Sequence, residues 1–246
     1  MAILTKFMHN MSVLVEAATV VCLREGASTG TWEVLLGQSE VKNWLRSTPE
    51  ATVLMRYPGE WKFPGGSRDS GDVTLQHTAM RELREEFLGL DPPPLSKLHW
   101  VSTRTTLPIQ GKRFQMHNFV ALAMENAWLM DDGLDVRVNR RLEDKRRSFA
   151  AALEDRSFWD MAVAAKEALS PEVRAVQWFP IDSAIDLMTP GLMQHVNAFQ
   201  ASEFASYGIT SRDPMYQSMK TLAHLSTLSW QDIVQLDTKH QPTSKV

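Results

Sequence analysis

Apolar positions in the first quarter of the chain fall into short runs broken by glycine and polar turns. Residues 12–24 are dense in Val, Ala and Leu and predict one or two strands. A turn at 26–30 and a hairpin partner at 31–38 (TWEVLLGQ) follow. Residues 39–49 form a polar interruption with helical character around 41–45, and 51–63 returns to extended structure. The period then changes. Leu75, Ala79, Leu83 and Phe87 recur four apart and predict an amphipathic helix over about 73–88, closed by Gly89 and the run Pro92-Pro93-Pro94. Strand patterns return at 98–107 and 114–124, a pair that fits side by side. Asp131-Asp132-Gly133 is a turn, 134–169 is mostly helical with partial periodicity, 172–180 is a closing strand, and a helix runs from there to Met188. Helical segments at 215–225 and 230–236 precede a polar, loose tail.

Composition narrows the picture. The 246 residues are 43% hydrophobic and include eight Trp and ten Phe, enough for the core of one large domain, and no internal repeat is visible. A net charge of −3 gives no global reason to expect nucleic acid or an anionic membrane as partner. The single Cys22 allows no internal disulfide, fits an intracellular, reducing compartment, and lies in a strand-like run that suits a buried thiol. No apolar run approaches a membrane span. Cytoplasmic placement is the default. The alternatives are a mitochondrial presequence at 1–11, which lacks acids but also Arg, and a peroxisomal address at Ser244-Lys245-Val246, where Val stands in place of Leu.

The chemistry concentrates in residues 60–90. Phe63-Pro64-Gly65-Gly66 reads as a glycine turn permitting close backbone approach, followed by an acidic loop holding Asp69 and Asp72. On the helix, Glu82, Glu85 and Glu86 stand at i, i+3 and i+4, so their carboxylates share a face and repel. They also occupy the C-terminal half, where the macrodipole favours cations. A divalent cation would turn that repulsion into coordination, and hard oxygen ligands suit Mg²⁺ or Mn²⁺.

Gly66 to Leu90 resembles the Nudix box, G-x5-E-x7-R-E-U-x-E-E-x-G-U with U bulky and apolar. Arg81-Glu82-Leu83 and Glu85-Glu86 match directly, and Gly89-Leu90 match after one extra residue, since Phe87-Leu88 replaces a single x. Asp72 stands at the place of the first Glu, with eight rather than seven residues before Arg81. That spacing, with Phe63-Pro64-Gly65-Gly66, Asp69 and Thr78-Ala79, is similar to the coenzyme A diphosphatase branch. Arg56-Tyr57-Pro58-Gly59-Glu60 is one residue short of its upstream R-x-x-x-G.

The resemblance implies an α/β fold, a Nudix-like α/β/α sandwich around a mixed β-sheet, with extra helical segments in the C-terminal half. It implies one domain over 1–246, with the box at 66–90, a helical insertion at about 127–170 and C-terminal helices at about 190–236. The implied activity is metal-dependent hydrolysis of a nucleoside diphosphate linked to another moiety, coenzyme A or its derivatives leading. RNA 5′-ends, ADP-ribose, dinucleotide polyphosphates and a non-catalytic RNA-binding module are the alternatives.

The implied ligands of Mg²⁺ or Mn²⁺ are Glu82, Glu85 and Glu86. Glu85 or Glu86 would assist water deprotonation, and Arg81 would orient a carboxylate. Gly65, Gly66, Arg56, Tyr57 and Arg104 are candidate substrate contacts, with Trp44 and Arg46 weighed against core and surface roles. Asp69 and Asp72 suit shaping the loop, and Glu125 is a candidate extra carboxylate. The cluster Arg137, Arg140, Arg141, Lys145, Arg146 and Arg147 reads as a solvated helix face rather than an RNA surface, since no aromatics interleave it. The expected partner is a nucleotide-type small molecule, with RNA less favoured, no membrane, and a homodimer compatible with the family.

Overall fold

The computed structural model describes residues 13–26, 31–48, 50–55, 57–88, 97–106, 112–188 and 216–240. Its spine is β1 (Val13–Glu25), buried without a break from Ala17 to Leu23. A strand covered on both faces reads as a continuous apolar run rather than an alternation. On one edge β1 pairs antiparallel with β2 (Trp32–Ser39), Cys22 opposite Leu35 and Glu25 opposite Trp32. The hairpin read from the sequence is thus present.

β1 and β2 pair only near their turn and then diverge. Residues 60–67 enter the fork. β3 (Trp61–Lys62) pairs with β2 at Gly37 and Gln38, and β4 (Gly65–Ser67) pairs with β1 at Ala17, Ala18 and Thr19. The Ser39 amide donates to Glu60 O (2.8 Å) and the Val20 amide to Pro64 O (3.0 Å), closing both seams. The glycines expected in a turn are therefore strand residues, and the positive-φ glycine among the described residues is Gly59, at 71°.

On its other edge β1 pairs in parallel with β6 (Lys112–Leu122), Val13 opposite Lys112 through Leu23 opposite Leu122. β5 (His99–Thr105) is antiparallel to β6, and β7 (Val173–Pro180) is antiparallel to β2. The result is a mixed seven-stranded sheet.

Helices cover both faces. The box helix α1 (Leu75–Leu83) is capped by Thr74, whose hydroxyl accepts from the His77 amide (3.2 Å). It does not stay α-helical to Leu88. Arg84–Leu88 forms a π-helical turn. A π turn takes in one residue more than the α ladder allows, and the box carries one residue more than its pattern at Phe87-Leu88. Ala79, Leu83 and Phe87 still face the sheet. The inserted stretch is three pieces, α2 (Leu134–Leu153), α3 (Arg156–Trp159) and α4 (Val163–Leu169), rather than one run. α2 packs Val138 and Leu142 onto the same core as α1.

The opposite face is covered by α5 (Ile181–Met188), α6 (Tyr216–Leu225) and α7 (Trp230–His240), through Leu187, Leu222, Leu225 and Ile233. This is the expected α/β/α sandwich. The helical character read at 41–45 does not extend beyond a single turn, in which the Ser47 amide donates to Asn43 O (3.0 Å), because the Asn43 amide is held by Val53 O and its side chain accepts from the Arg46 amide. Residues 189–215 and the targeting candidates at 1–11 and 244–246 lie outside the described residues, as do Arg56, Gly89 and Leu90.

Candidate active site

The fork of the sheet brings the box glycines under the box helix. The Gly65 amide donates to Glu86 Oε2 at 2.9 Å. Gly66 is needed for close approach, because a Cβ there would fall 2.4 Å from Glu82 Oε1. Glu82 and Glu86 are thus pressed against β4, their side chains only 13% and 5% exposed, whereas that of Glu85 is 52% exposed. The three carboxylates are not equivalent, as helical spacing alone suggests. The fold buries two and leaves one at the mouth.

Arg81 ties the loop to the helix. Its guanidinium donates to Asp72 Oδ2 and Ser67 O (3.0 Å each), to Glu82 Oε1 (2.8 Å) and to Glu85 Oε2 (3.0 Å). The Asp69 carboxylate stands 3.6 Å away. Asp72 also accepts from the Asp69 amide (3.0 Å). Hydrogen bonding from Arg81 holds the Asp72 carboxyl down at about 2. Asp72 and Asp69 accordingly clasp the loop.

Lys62 and Glu172, which have no local signal in the sequence, and Lys145, read there only as part of a solvated helix face, complete the cluster. Lys62, on β3, bonds Glu86 Oε1. Its pKa is raised despite burial, which acts the other way, because Glu86 and then Glu172 favour its charged form. Glu172, just before β7, thereby adds a fourth carboxylate to the electrostatics of the site. Lys145, on α2, feels Glu172, Glu85 and Glu86. Burial pushes Glu86 upward against the opposing pull of Lys62 and the Gly65 amide. Burial first, and then the charge of Glu86, push Glu82 up to about 7.

Other candidates fall elsewhere. Glu125 lies in a 3₁₀ turn (Ala123–Glu125) and is engaged by the buried His99 and by Lys97. It follows Leu122, which is opposite Leu23, whereas Gly65 is opposite Thr19. Those four residues along the strand are about 13 Å, so the fold does not bring Glu125 into the carboxylate cluster. Arg104, on β5, is level with Met116 and hence with Ala17 and Ser67, but three strand spacings across, roughly 14 Å. Tyr57 forms a turn in which its carbonyl accepts from the Glu60 amide (3.2 Å). The Trp44 ring lies beneath the Lys42 ammonium, 5.1 Å from centroid to Nζ, and Arg46 is exposed. Cys22 is buried, and burial pushes its thiol up to about 12, an inert group.

The basic segment divides. Arg137 and Arg147 pair with Asp131 and Asp144 at the surface. Arg146 reaches Glu40 (3.6 Å), and Arg141 donates to Leu88 O (2.8 Å) at the end of the π turn. This is not a free basic face, because Arg141 and Lys145 are turned toward the box helix and Arg146 toward Glu40.

Among the described residues no three His, Cys, Asp or Glu side chains are placed to hold a metal ion together. Glu86 is occupied by Lys62 and the Gly65 amide, and Glu85 by Arg81. The donor set nevertheless fits a hard divalent cation. The charge of Glu86 raises the proton affinity of Glu82, Glu82 is seated where only glycine leaves room, and every donor is oxygen. Among the described residues no helix is long and apolar enough to cross a membrane.

The chain is similar in sequence to a known domain family and in fold to several solved structures. The sequence model of the NUDIX domain matches residues 15–199. A Nudix hydrolase from M. smegmatis is 23% identical over 44% of this chain and 61% of its own, with a TM-score of 0.30. A NUDIX hydrolase from Alicyclobacillus acidocaldarius is 16% identical over 89% and 93%, with a TM-score of 0.44. A C. elegans Ap4A hydrolase is 17% identical over 78% and 96%, with a TM-score of 0.36. The domain match spans well over half of the sequence: the chain belongs to the NUDIX domain family.

Proposed function

We propose that this protein hydrolyses a nucleoside diphosphate linked to another moiety, with Mg²⁺ or Mn²⁺ as cofactor and coenzyme A or its derivatives as the leading substrates. The observation that carries the reading is the pair Glu82 and Glu86, both pressed against a glycine strand where a Cβ would displace Glu82 and an amide holds Glu86.

Glu82 and Glu86, with Glu85 at the mouth, would hold the cation, and Glu172 lies within their electrostatic reach. Such a cation supplies neutralisation of the diphosphate oxygens and a bound water of lowered pKa. The chain's own groups do the rest. The Gly65 amide fixes Glu86. Arg81 holds Glu82 and Glu85 in register with the loop. Burial makes Glu86 a better proton acceptor than an exposed glutamate, which suits it to take the proton of the attacking water.

Support for the coenzyme A branch comes from the loop. Eight residues between Asp72 and Arg81 put the Asp72 carboxylate on the guanidinium at 3.0 Å, so the branch spacing has a structural use here. RNA is disfavoured because four of the arginines at 137–147 are spent on partners within the protein.

The test is a hydrolysis panel with each metal, products read by mass spectrometry. It holds coenzyme A, an acyl-coenzyme A, ADP-ribose, NADH, a dinucleoside tetraphosphate and 5′-triphosphate or capped RNA. Release of 3′,5′-ADP from coenzyme A, lost in Glu86→Gln, is the expected result. Turnover of a different substrate moves the assignment to that branch. Folded protein silent on the whole panel with both metals would overturn catalysis and leave an RNA-binding module as the reading to test.

A further inference from the structure

The inserted helix α2 approaches the carboxylate cluster with a cation, Lys145, that has no direct partner among the described residues. Arg141 anchors it, donating to Leu88 O at 2.8 Å and fixing α2 against the turn that carries Glu85 and Glu86. Lys145 stands one helical turn further along the same face of α2. It is half-buried, and among the described residues it makes no hydrogen bond and no ion pair, although Glu172, Glu85 and Glu86 are its charged neighbours. Its flanking basic residues are committed, Arg146 to Glu40 and Arg147 to Asp144.

A half-buried ammonium is costly unless something compensates it. The other cations of the site have direct partners: Lys62 bonds Glu86, and Arg81 bonds Asp72, Glu82 and Glu85. Lys145 keeps its donors unspent within electrostatic reach of Glu172, Glu85 and Glu86. An anion arriving at carboxylates already neutralised by a divalent cation would meet those donors next. We propose that Lys145 Nζ binds a non-bridging oxygen of the substrate's diphosphate, so that the insertion supplies a phosphate-binding residue to the active site. The inference rests on the diphosphate reading above.

The test is binding of α,β-methylene-ADP, which cannot be cleaved at that linkage, by calorimetry in the presence of Mn²⁺. Lys145→Met is expected to weaken binding by about ten- to a hundredfold, the size of one lost hydrogen bond to a charged group, and Lys145→Arg to retain most of it. Mn²⁺ affinity without nucleotide, read by electron paramagnetic resonance, is expected to be unchanged in both. On whichever substrate is turned over, Lys145→Met should raise KM with kcat nearly constant. Lys145→Gln replaces it if Met does not fold. Equal analogue affinity in wild type and variant overturns the role of Lys145 while leaving the diphosphate reading intact. So does a folded variant that loses Mn²⁺, because Lys145 would then serve the carboxylates. Wild-type protein that binds Mn²⁺ but not the analogue overturns both.

Discussion

Lys62 and Glu86 form a buried ion pair between a two-residue strand and a π-helical turn, twenty-four positions apart. In the absence of a divalent cation, Lys62 is the cation in direct contact with Glu86 among the described residues. Removing one member of a buried pair strands the other, at a cost of about 3–5 kcal/mol. Lys62→Met should therefore destabilise the metal-free protein by an amount of that order in urea unfolding. Saturating Mg²⁺ should recover a large part of the loss, and Lys62→Met with Glu86→Gln should be milder than Lys62→Met alone. A Lys62→Met protein as stable as wild type without metal would show that the pair contributes nothing.

Adjacent glycines should respond differently to the same methyl group. At Gly66 the new Cβ meets the end of the Glu82 side chain at 2.4 Å, and a carboxylate can swing away. Gly66→Ala should fold with a loss of about 1 kcal/mol or less yet bind Mn²⁺ at least about tenfold more weakly. At Gly65 the Cβ meets Ala18 O at 2.5 Å and Thr19 Cα at 2.8 Å, backbone atoms that cannot yield. Gly65→Ala should cost about 1–3 kcal/mol or more as overpacking. Thermal melts and Mn²⁺ titrations of both variants decide the matter, and equal behaviour would refute it.

Arg81→Lys keeps the charge but not the fork that reaches Asp72, Ser67, Glu82 and Glu85 together. Turnover on the identified substrate should fall by about a hundredfold or more, with intact far-ultraviolet circular dichroism. Wild-type rates from Arg81→Lys would reduce Arg81 to a point charge.

The pH dependence has a definite sign. Glu82 is raised to about 7 from an ordinary value near 4.5, so across that window the folded state binds more protons than the unfolded one. Metal-free stability should fall as pH rises from about 4.5 to 7, by on the order of 2–3 kcal/mol from this residue. Asp72 is lowered to about 2, so its contribution is present above about 4 and lost as pH falls towards 2. Glu82→Gln should flatten the upper slope and leave the lower one. Binding of Mg²⁺ near pH 6.5 should also release protons, measurable as buffer-dependent heat, and Glu82→Gln should reduce that release. Buffer-independent heat in wild type would contradict a protonated Glu82.

The period of the apolar positions was enough to place β1, β2, the box helix, β5, β6, β7 and α5, because each must bury one face or both. The order of glycines, arginine and glutamates was enough to indicate the family. The extra residue between Glu86 and Gly89 was also visible, but not its consequence. A chain can absorb an insertion as a loop, a frayed end or a π turn, and the sheet beneath Phe87 favours the arrangement that keeps that ring in the core. Glu172 and Lys62 carried no signal, since a lone glutamate before a strand and a lone lysine within one look like surface residues. Glu125 was a candidate extra carboxylate in the sequence, yet strand register removes it from the cluster. The split of the basic segment depends on which face of α2 packs on α1. The sequence by itself therefore determined which groups repeat locally and what chemistry they suit. Only the tertiary structure decided which distant charges share the site, because pairing across a sheet depends on register and strand order, which no local spacing encodes.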